Sequence, residues 1–167
     1  ILLVSFGCSE PKARRPISQK TATIATQTVA QRKQLVALEN KVIEAHLQLD
    51  SITPYTVASN GFWYRYITKV EDSLATPKVG NIAVFDYELL TMQNVVIYSK
   101  ETLGRKEYQV DKEELIRGLQ EGVKLMKVGE TISFIIPSYN AFGLIGDGDK
   151  IGINQTIKST VTLIEIK

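Results

Sequence analysis

Cys8 and His46 are the only cysteine and histidine among 167 residues. One of each excludes a His/Cys metal cluster and an internal disulfide. His46 lies beside an apolar helical stripe, where a lone imidazole reads as a surface or packing residue rather than a ligand. Asp147-Gly148-Asp149 could offer oxygen atoms to calcium. Two carboxylates without the rest of an oxygen-ligand loop are too few, and a solvated turn is the better reading. Phe62, Trp63, Tyr64 and Tyr66 could stack nucleobases. With a net charge of +2 and only Arg65 inside that cluster, packing in a core or pocket is favoured, and no nucleic-acid partner is expected. No metal and no cofactor are implied.

The stretch that organises the chain is apolar. Leu115, Ile116, Leu119, Val123 and Met126 recur at helical spacing. Lys127-Val128-Gly129-Glu130 then breaks the helix, with Gly129 free to take the positive φ of a turn. Thr131 to Ile136 is β-branched and aromatic and suits a half-buried strand. Pro137 ends it, having no N–H to give a ladder. Upstream, Phe62 to Val70 alternates as a strand, with Phe62, Tyr64 and Tyr66 on one face and Trp63, Arg65 and Ile67 on the other. Asn81 to Leu90 is the next strand, Thr91 to Asn94 a hairpin turn, and Val95 to Tyr98 the return strand. Ser51 to Asn60 and Ser99 to Lys106 read as loops. Downstream, Leu144 to Lys150 reads as an exposed flap, and Thr156 to Lys167 alternates as a closing strand.

The N-terminal third differs in kind. Residues 1–7, ILLVSFG, are an apolar run too short for a bilayer, which needs about 20 residues. They read as a signal-peptide remnant ahead of Cys8, whose thiol would then carry lipid. The alternative is a buried N-terminal strand with a reduced thiol, but the polar tail that follows at once favours the first. Residues 8–20 read as a lipidated flexible tether, in which Arg14 and Arg15 could touch anionic headgroups. Residues 21–50 are a helix candidate of about 45 Å at 1.5 Å per residue. Thr28, Gln31, Leu35, Leu38, Val42, Ala45 and Leu49 follow a 3-4 spacing along it. That stripe could pack on the following domain or pair with a second copy to form a homodimer.

The order of residues from Leu115 to Gly143 resembles the FKBP-type peptidyl-prolyl isomerases. Their V-I-x-G-W-x-x-G-V-x-x-M-x-x-G-E block and P-x-x-x-A-Y-G sequence read here as Leu115-Ile116-Arg117-Gly118-Leu119, Glu121-Gly122-Val123, Met126, Gly129-Glu130 and Pro137 to Gly143. The resemblance covers about half of the chain, Val84 to Lys167. It implies an α+β fold over residues 51–167: an antiparallel half-barrel sheet curved around one short helix, preceded by the long N-terminal helix.

The resemblance also assigns a site. Tyr87 matches the pocket-wall tyrosine. Ile97 and Tyr98 stand where the family has Phe-Asp, so the acid is missing. Leu115 and Ile116 match the pair at the helix entrance, the Ile116 backbone N–H being the expected donor to a substrate carbonyl. Leu119 replaces the tryptophan floor, and Phe142 replaces the tyrosine of A-Y-G. Ile151 matches the flap isoleucine, and Ser159 stands where a phenylalanine is usual. Tyr87, Ile116 and Phe142 are thus the implied catalytic set, with Ile97, Tyr98, Leu115, Leu119, Ile151 and Ser159 binding substrate.

The activity implied is cis-trans isomerisation of proline-containing unfolded or secreted segments; the alternative is a catalytically weak chaperone or assembly module. A narrower likeness, to the gliding-motility-associated lipoprotein isomerases of Bacteroidetes, rests on SFGC, RRPIS, the long helix, NGFWY, VIYSKE, VDKEEL, YNAFG and GDGDKIG. It implies a lipid-anchored, periplasm-facing folding factor in the bacterial envelope.

Overall fold

The computed structural model describes residues 19–49, 54–70 and 74–167, with side chains of the first helix placed from Thr28 onward. Residues 1–18, including Cys8, Arg14 and Arg15, lie outside the described residues. Two compact units are distinguished, the first ending at Leu35 and the second spanning Val36–Lys167. The boundary falls inside the first helix, α1 (Gln19–Leu49), which also takes Gln19 and Lys20 from the end of the expected tether.

In the second unit all strands join one antiparallel sheet: β1 (Thr56–Val57), β2 (Trp63–Thr68), β3 (Ile82–Leu90), β4 (Val96–Tyr98), β5 (Lys106–Gln109), β6 (Thr131–Ile136) and β7 (Ile157–Ile166). Their spatial order is β1-β2-β6-β7-β3-β4, with β5 also on β3. The outer edge of β3 is therefore shared: Ile82 to Phe85 pair with β5, and Leu89 and Leu90 with β4. Two of the expected loops hold structure of their own. Residues 51–60 contain β1, and Ser99 caps a short helix, α2 (Lys100–Leu103), accepting from the Thr102 N–H. A serine oxygen satisfies one of the donors that a helix start leaves unpaired.

Period-2 alternation decides what each face of the sheet covers. Phe62, Tyr64 and Tyr66 pack with Phe85, Phe134, Ile136, Val161 and Leu163 in the main core. The expected central helix is shorter than its apolar spacing suggested: α3 runs Arg117–Val123, with Leu115 and Ile116 outside it. Glycine brings α3 against β6. A Cβ on Gly118 would stand 2.4 Å from Cγ2 of Ile136, and one on Gly122 2.7 Å from Cε1 of Phe134. Closely packed interiors leave no room for such an atom. After α3, Gly129 takes the expected positive φ of 89°.

The opposite face holds Trp63 and Ile135 and is covered by the C-terminal half of α1. Ile43 is 1% exposed there, with Leu47, Tyr55 and Met92 around it. The expected stripe is not the face that docks: Leu38, Val42 and Leu49 are exposed, Val42 at 70%. The docked face carries Glu39 and Asn40, whose side chains meet the turn Ser138–Asn140 that follows β6. The docked face mixes Ile43 and Leu47 with a carboxylate and an amide, and the longer run of leucines and valine lies on the exposed face instead.

Candidate functional site

The candidate site lies where α3 enters the sheet. Ile116 has φ −57° and ψ 135°, so it caps α3 without belonging to it. Its carbonyl accepts from the N–H groups of Leu119 and Gln120, at 2.9 and 3.0 Å. Its own N–H lies ahead of the helical ladder, as the first donors of any helix do. Leu115 and Ile116 are half-buried against the main core, and Leu119, one turn on, is 0% exposed.

Three further elements contribute side chains to the same core. From β3 comes Tyr87, half-buried, its ring edge-on to Phe85 at 5.5 Å between centroids. Burial pushes its phenol pKa up. From β4 come Ile97 and Tyr98, both half-buried against the same core. Between β6 and β7 runs a long loop carrying Phe142, which packs on the core while half-exposed, and Ile151, which is buried. Gly143 follows Phe142 with φ 59° and donates to the Ser138 carbonyl at 2.8 Å. Ser159, on β7 opposite Leu89 and Phe134, is 0% exposed and donates to the Glu88 carbonyl at 2.9 Å.

The structure thus brings Tyr87, Ile97, Tyr98, Leu115, Ile116, Leu119, Phe142 and Ile151 onto one apolar cluster. Of these, Leu119 and Ile151 are enclosed, as is Ser159 on β7, and the others keep surface open to solvent. Cys8 lies outside the described residues.

The polar chemistry at this corner belongs to the loop. The Tyr98 hydroxyl donates to Asp147 Oδ2 at 2.6 Å and to Asp149 Oδ2 at 3.1 Å. The Lys150 ammonium stands 4.9 Å from the Tyr98 ring centroid. Asp147 Oδ1 accepts the N–H groups of Asp149 and Ile151, at 2.9 and 2.8 Å. The bond to Asp147 is the main reason the Tyr98 phenol is pushed up to about 12. Desolvation pushes the Asp147 carboxyl up. Hydrogen bonds from Tyr98 and from the Asp149 and Ile151 backbone outweigh it and hold the group below the usual carboxylate range.

The sequence reading missed this role for Asp147, which it took as a solvated turn residue. The D-x-D spacing before a buried isoleucine was the available signal, because aspartate readily caps its own loop's N–H groups. Among the described residues no group of three or more His, Cys, Asp or Glu side chains could hold a metal ion. No helix among them is long and apolar enough to cross a membrane. What the arrangement offers chemically is a partly exposed apolar surface, the unpaired start of α3 beside it and a tyrosine tied to the loop.

Comparison with known proteins points the same way. The sequence profile of the FKBP-type peptidyl-prolyl cis-trans isomerase family, FKBP_C, matches residues 74–164, more than half of the chain. A probable FKBP-type peptidyl-prolyl cis-trans isomerase, FkpA, of Neisseria meningitidis serogroup B is 33% identical over 108 residues. That match takes in 65% of this chain and only 39% of the relative's length. Among solved structures, FkpA from Escherichia coli superposes with a TM-score of 0.64 at 22% identity, covering 90% of this chain and 71% of that one. A peptidyl-prolyl cis-trans isomerase from Pseudomonas syringae pv. tomato gives a TM-score of 0.62 at 16% identity, covering 81% of this chain and 95% of that one. At such identities the two structures speak for the fold, which is the expected α+β arrangement.

Proposed function

Because the chain belongs to the FKBP-type peptidyl-prolyl cis-trans isomerase family, we propose that it accelerates cis-trans exchange of X-Pro bonds at the recess between α3, β3, β4 and the β6–β7 loop. The observation that carries this reading is that half-exposed Tyr87, Ile97, Ile116 and Phe142 pack on the same apolar core that fully encloses Leu119.

The reaction asks for neither nucleophile nor metal. Resonance in the C–N bond sets a barrier of about 18–20 kcal/mol. As the amide twists it loses that resonance, and its carbonyl becomes less polar. A dry apolar recess destabilises the planar amide more than the twisted one. In this reading the Ile116 N–H, ahead of the helical ladder, donates to a flanking carbonyl, a role independent of side-chain identity. Leu119, Ile151 and Ser159 back the wall from beneath. A millionfold acceleration would need about 8 kcal/mol, at about 1.36 kcal/mol per tenfold.

A proline-peptide exchange assay tests the reading. Acceleration by the wild-type chain is expected, with a loss of tenfold or more on Phe142→Asp at unchanged melting temperature. No acceleration at micromolar protein refutes it. One observation favours a second reading, a chaperone that grips apolar segments without isomerising them. Leu144, Ile145 and Ile153 of the loop are exposed, Ile145 at 87%. Suppression of client aggregation that survives Phe142→Asp would select that reading.

The cellular setting belongs to the same proposal. The clients are proline-containing unfolded or secreted segments. The chain is anchored by lipid on Cys8 in a bacterial envelope, facing the periplasm, in the manner of the gliding-motility-associated lipoprotein isomerases. The N-terminal sequence supports this, and mass spectrometry of the native protein tests it. Pairing of two copies through α1 is supported by exposed Leu38, Val42 and Leu49 and is tested by sedimentation.

A further inference from the structure

We propose that Glu39, on α1, is a positioning residue for the proline recess, acting by clamping both ends of the loop that carries Phe142 and Ile151. The inference rests on the isomerase reading for its kinetic consequence, but not for its structural one.

The geometry is a single carboxylate with three donors. Glu39 Oε1 accepts the Ser138 N–H at 2.6 Å and the Thr156 hydroxyl at 2.6 Å. Glu39 Oε2 accepts the Ser138 hydroxyl at 2.9 Å. Ser138 opens the β6–β7 loop and Thr156 closes it, so one side chain from a distant helix fixes both ends. An ionised carboxylate suits this place because it is acceptor-only and offers about four lone-pair sites. Glutamine loses the charge and one acceptor oxygen, leaving an NH₂ that can only donate to the Ser138 hydroxyl.

The clamp continues into the recess through backbone. The Ser138 carbonyl accepts the N–H groups of Ala141 and Gly143, at 3.0 and 2.8 Å, on either side of Phe142. The Gly143 carbonyl accepts the Asn154 N–H at 2.8 Å, two residues before Thr156. A closed path therefore runs from Glu39 through Ser138, Gly143 and Asn154 to Thr156 and back to Glu39. Phe142 projects from its middle. Tyr87 and Leu119, on β3 and α3, take no part in it.

That division predicts the kinetic signature. A proline ring still meets Tyr87 and the floor when the clamp is cut, so ground-state binding changes little. The loop wall, whose fixed position favours the twisted amide, becomes loose. Interactions made chiefly in the transition state appear in kcat.

The test compares Glu39→Gln with Ile43→Ala in the full chain. Ile43 supports the docking of α1 without touching the loop, so its loss reports on helix docking alone. For Glu39→Gln we expect amide exchange at Gly143 and Asn154 to rise about tenfold, exchange at Gly129 to stay as in wild type, and kcat to fall about tenfold with KM changed less than twofold. Ile43→Ala should lower the melting temperature at least as much while leaving loop exchange and kcat within twofold. Thr156→Val, which removes one donor only, should raise Asn154 exchange by a smaller factor, and it decides the question if Glu39→Gln does not fold. Unchanged loop exchange in these variants, or an equal rise at Gly129, overturns the proposal. If wild type proves inactive on proline peptides, the isomerase reading fails, and the exchange result alone decides the clamp.

Discussion

At the residue scale the informative pair is Tyr98 and Asp147. Tyr98 on β4 reaches across to an aspartate on the loop between β6 and β7. Because the Asp147 carboxyl is held below its ordinary value, its contribution is present at neutral pH and persists below about pH 4, the normal aspartate range. It is lost only as pH falls through the depressed value. An NMR titration should therefore show the Ile151 amide shifting with a midpoint below that of an ordinary aspartate. Tyr98→Phe should move that midpoint upward, because one of the bonds lowering it is gone. An Ile151 amide insensitive to acid would break the link.

At the element scale the two faces of α1 make opposite predictions. Ile43→Ala removes a side chain packed on Trp63 and Ile135 and should cost about 2–4 kcal/mol in denaturant unfolding. Val42→Ala, one residue away and exposed, should stay within about 0.5 kcal/mol. In α3, Gly118→Ala forces a methyl group onto Ile136. Overpacking of about 1–3 kcal/mol should exceed the helix-propensity gain of about 1 kcal/mol, leaving a net loss. A stabilised variant would show that α3 can back away from β6.

These elements also show what was legible in the sequence. The strands of the core were, since Phe62, Tyr64 and Tyr66 alternate and face inward as their spacing requires. So was the turn at Thr91–Asn94, where the Asn94 N–H donates to the Thr91 carbonyl at 3.0 Å. The α1 stripe misled, because its leucines are regular but the buried face is anchored by Glu39 and Asn40. The start of α3 misled for a related reason: Leu115 and Ile116 are apolar at the right interval yet lie outside the helix. Periodicity records burial and does not distinguish a helical residue from a non-helical one that the same core covers.

At the scale of the whole molecule, the unit boundary inside α1 has a direct consequence. A chain beginning at Val36 keeps Glu39, Ile43 and Leu47 and should melt cooperatively, within a few degrees of the full protein. A chain beginning at Asp50 loses all three and should be less stable by at least about 2 kcal/mol, by the burial of Ile43 alone. Calorimetry of the two truncations distinguishes these outcomes. Equal melting temperatures would mean that the helix contributes nothing to the sheet it covers.

The outermost strands have a consequence of their own. One flank of the sheet ends in β1, two residues long, and the other is divided between β4 and β5, of three and four residues. Long bare margins template the addition of foreign chains and so seed fibres. Margins this short and interrupted give an extended stranger too few consecutive amides to grasp. If the proposed clients are unfinished polypeptides, such margins would let the protein meet them without being drawn into their aggregates.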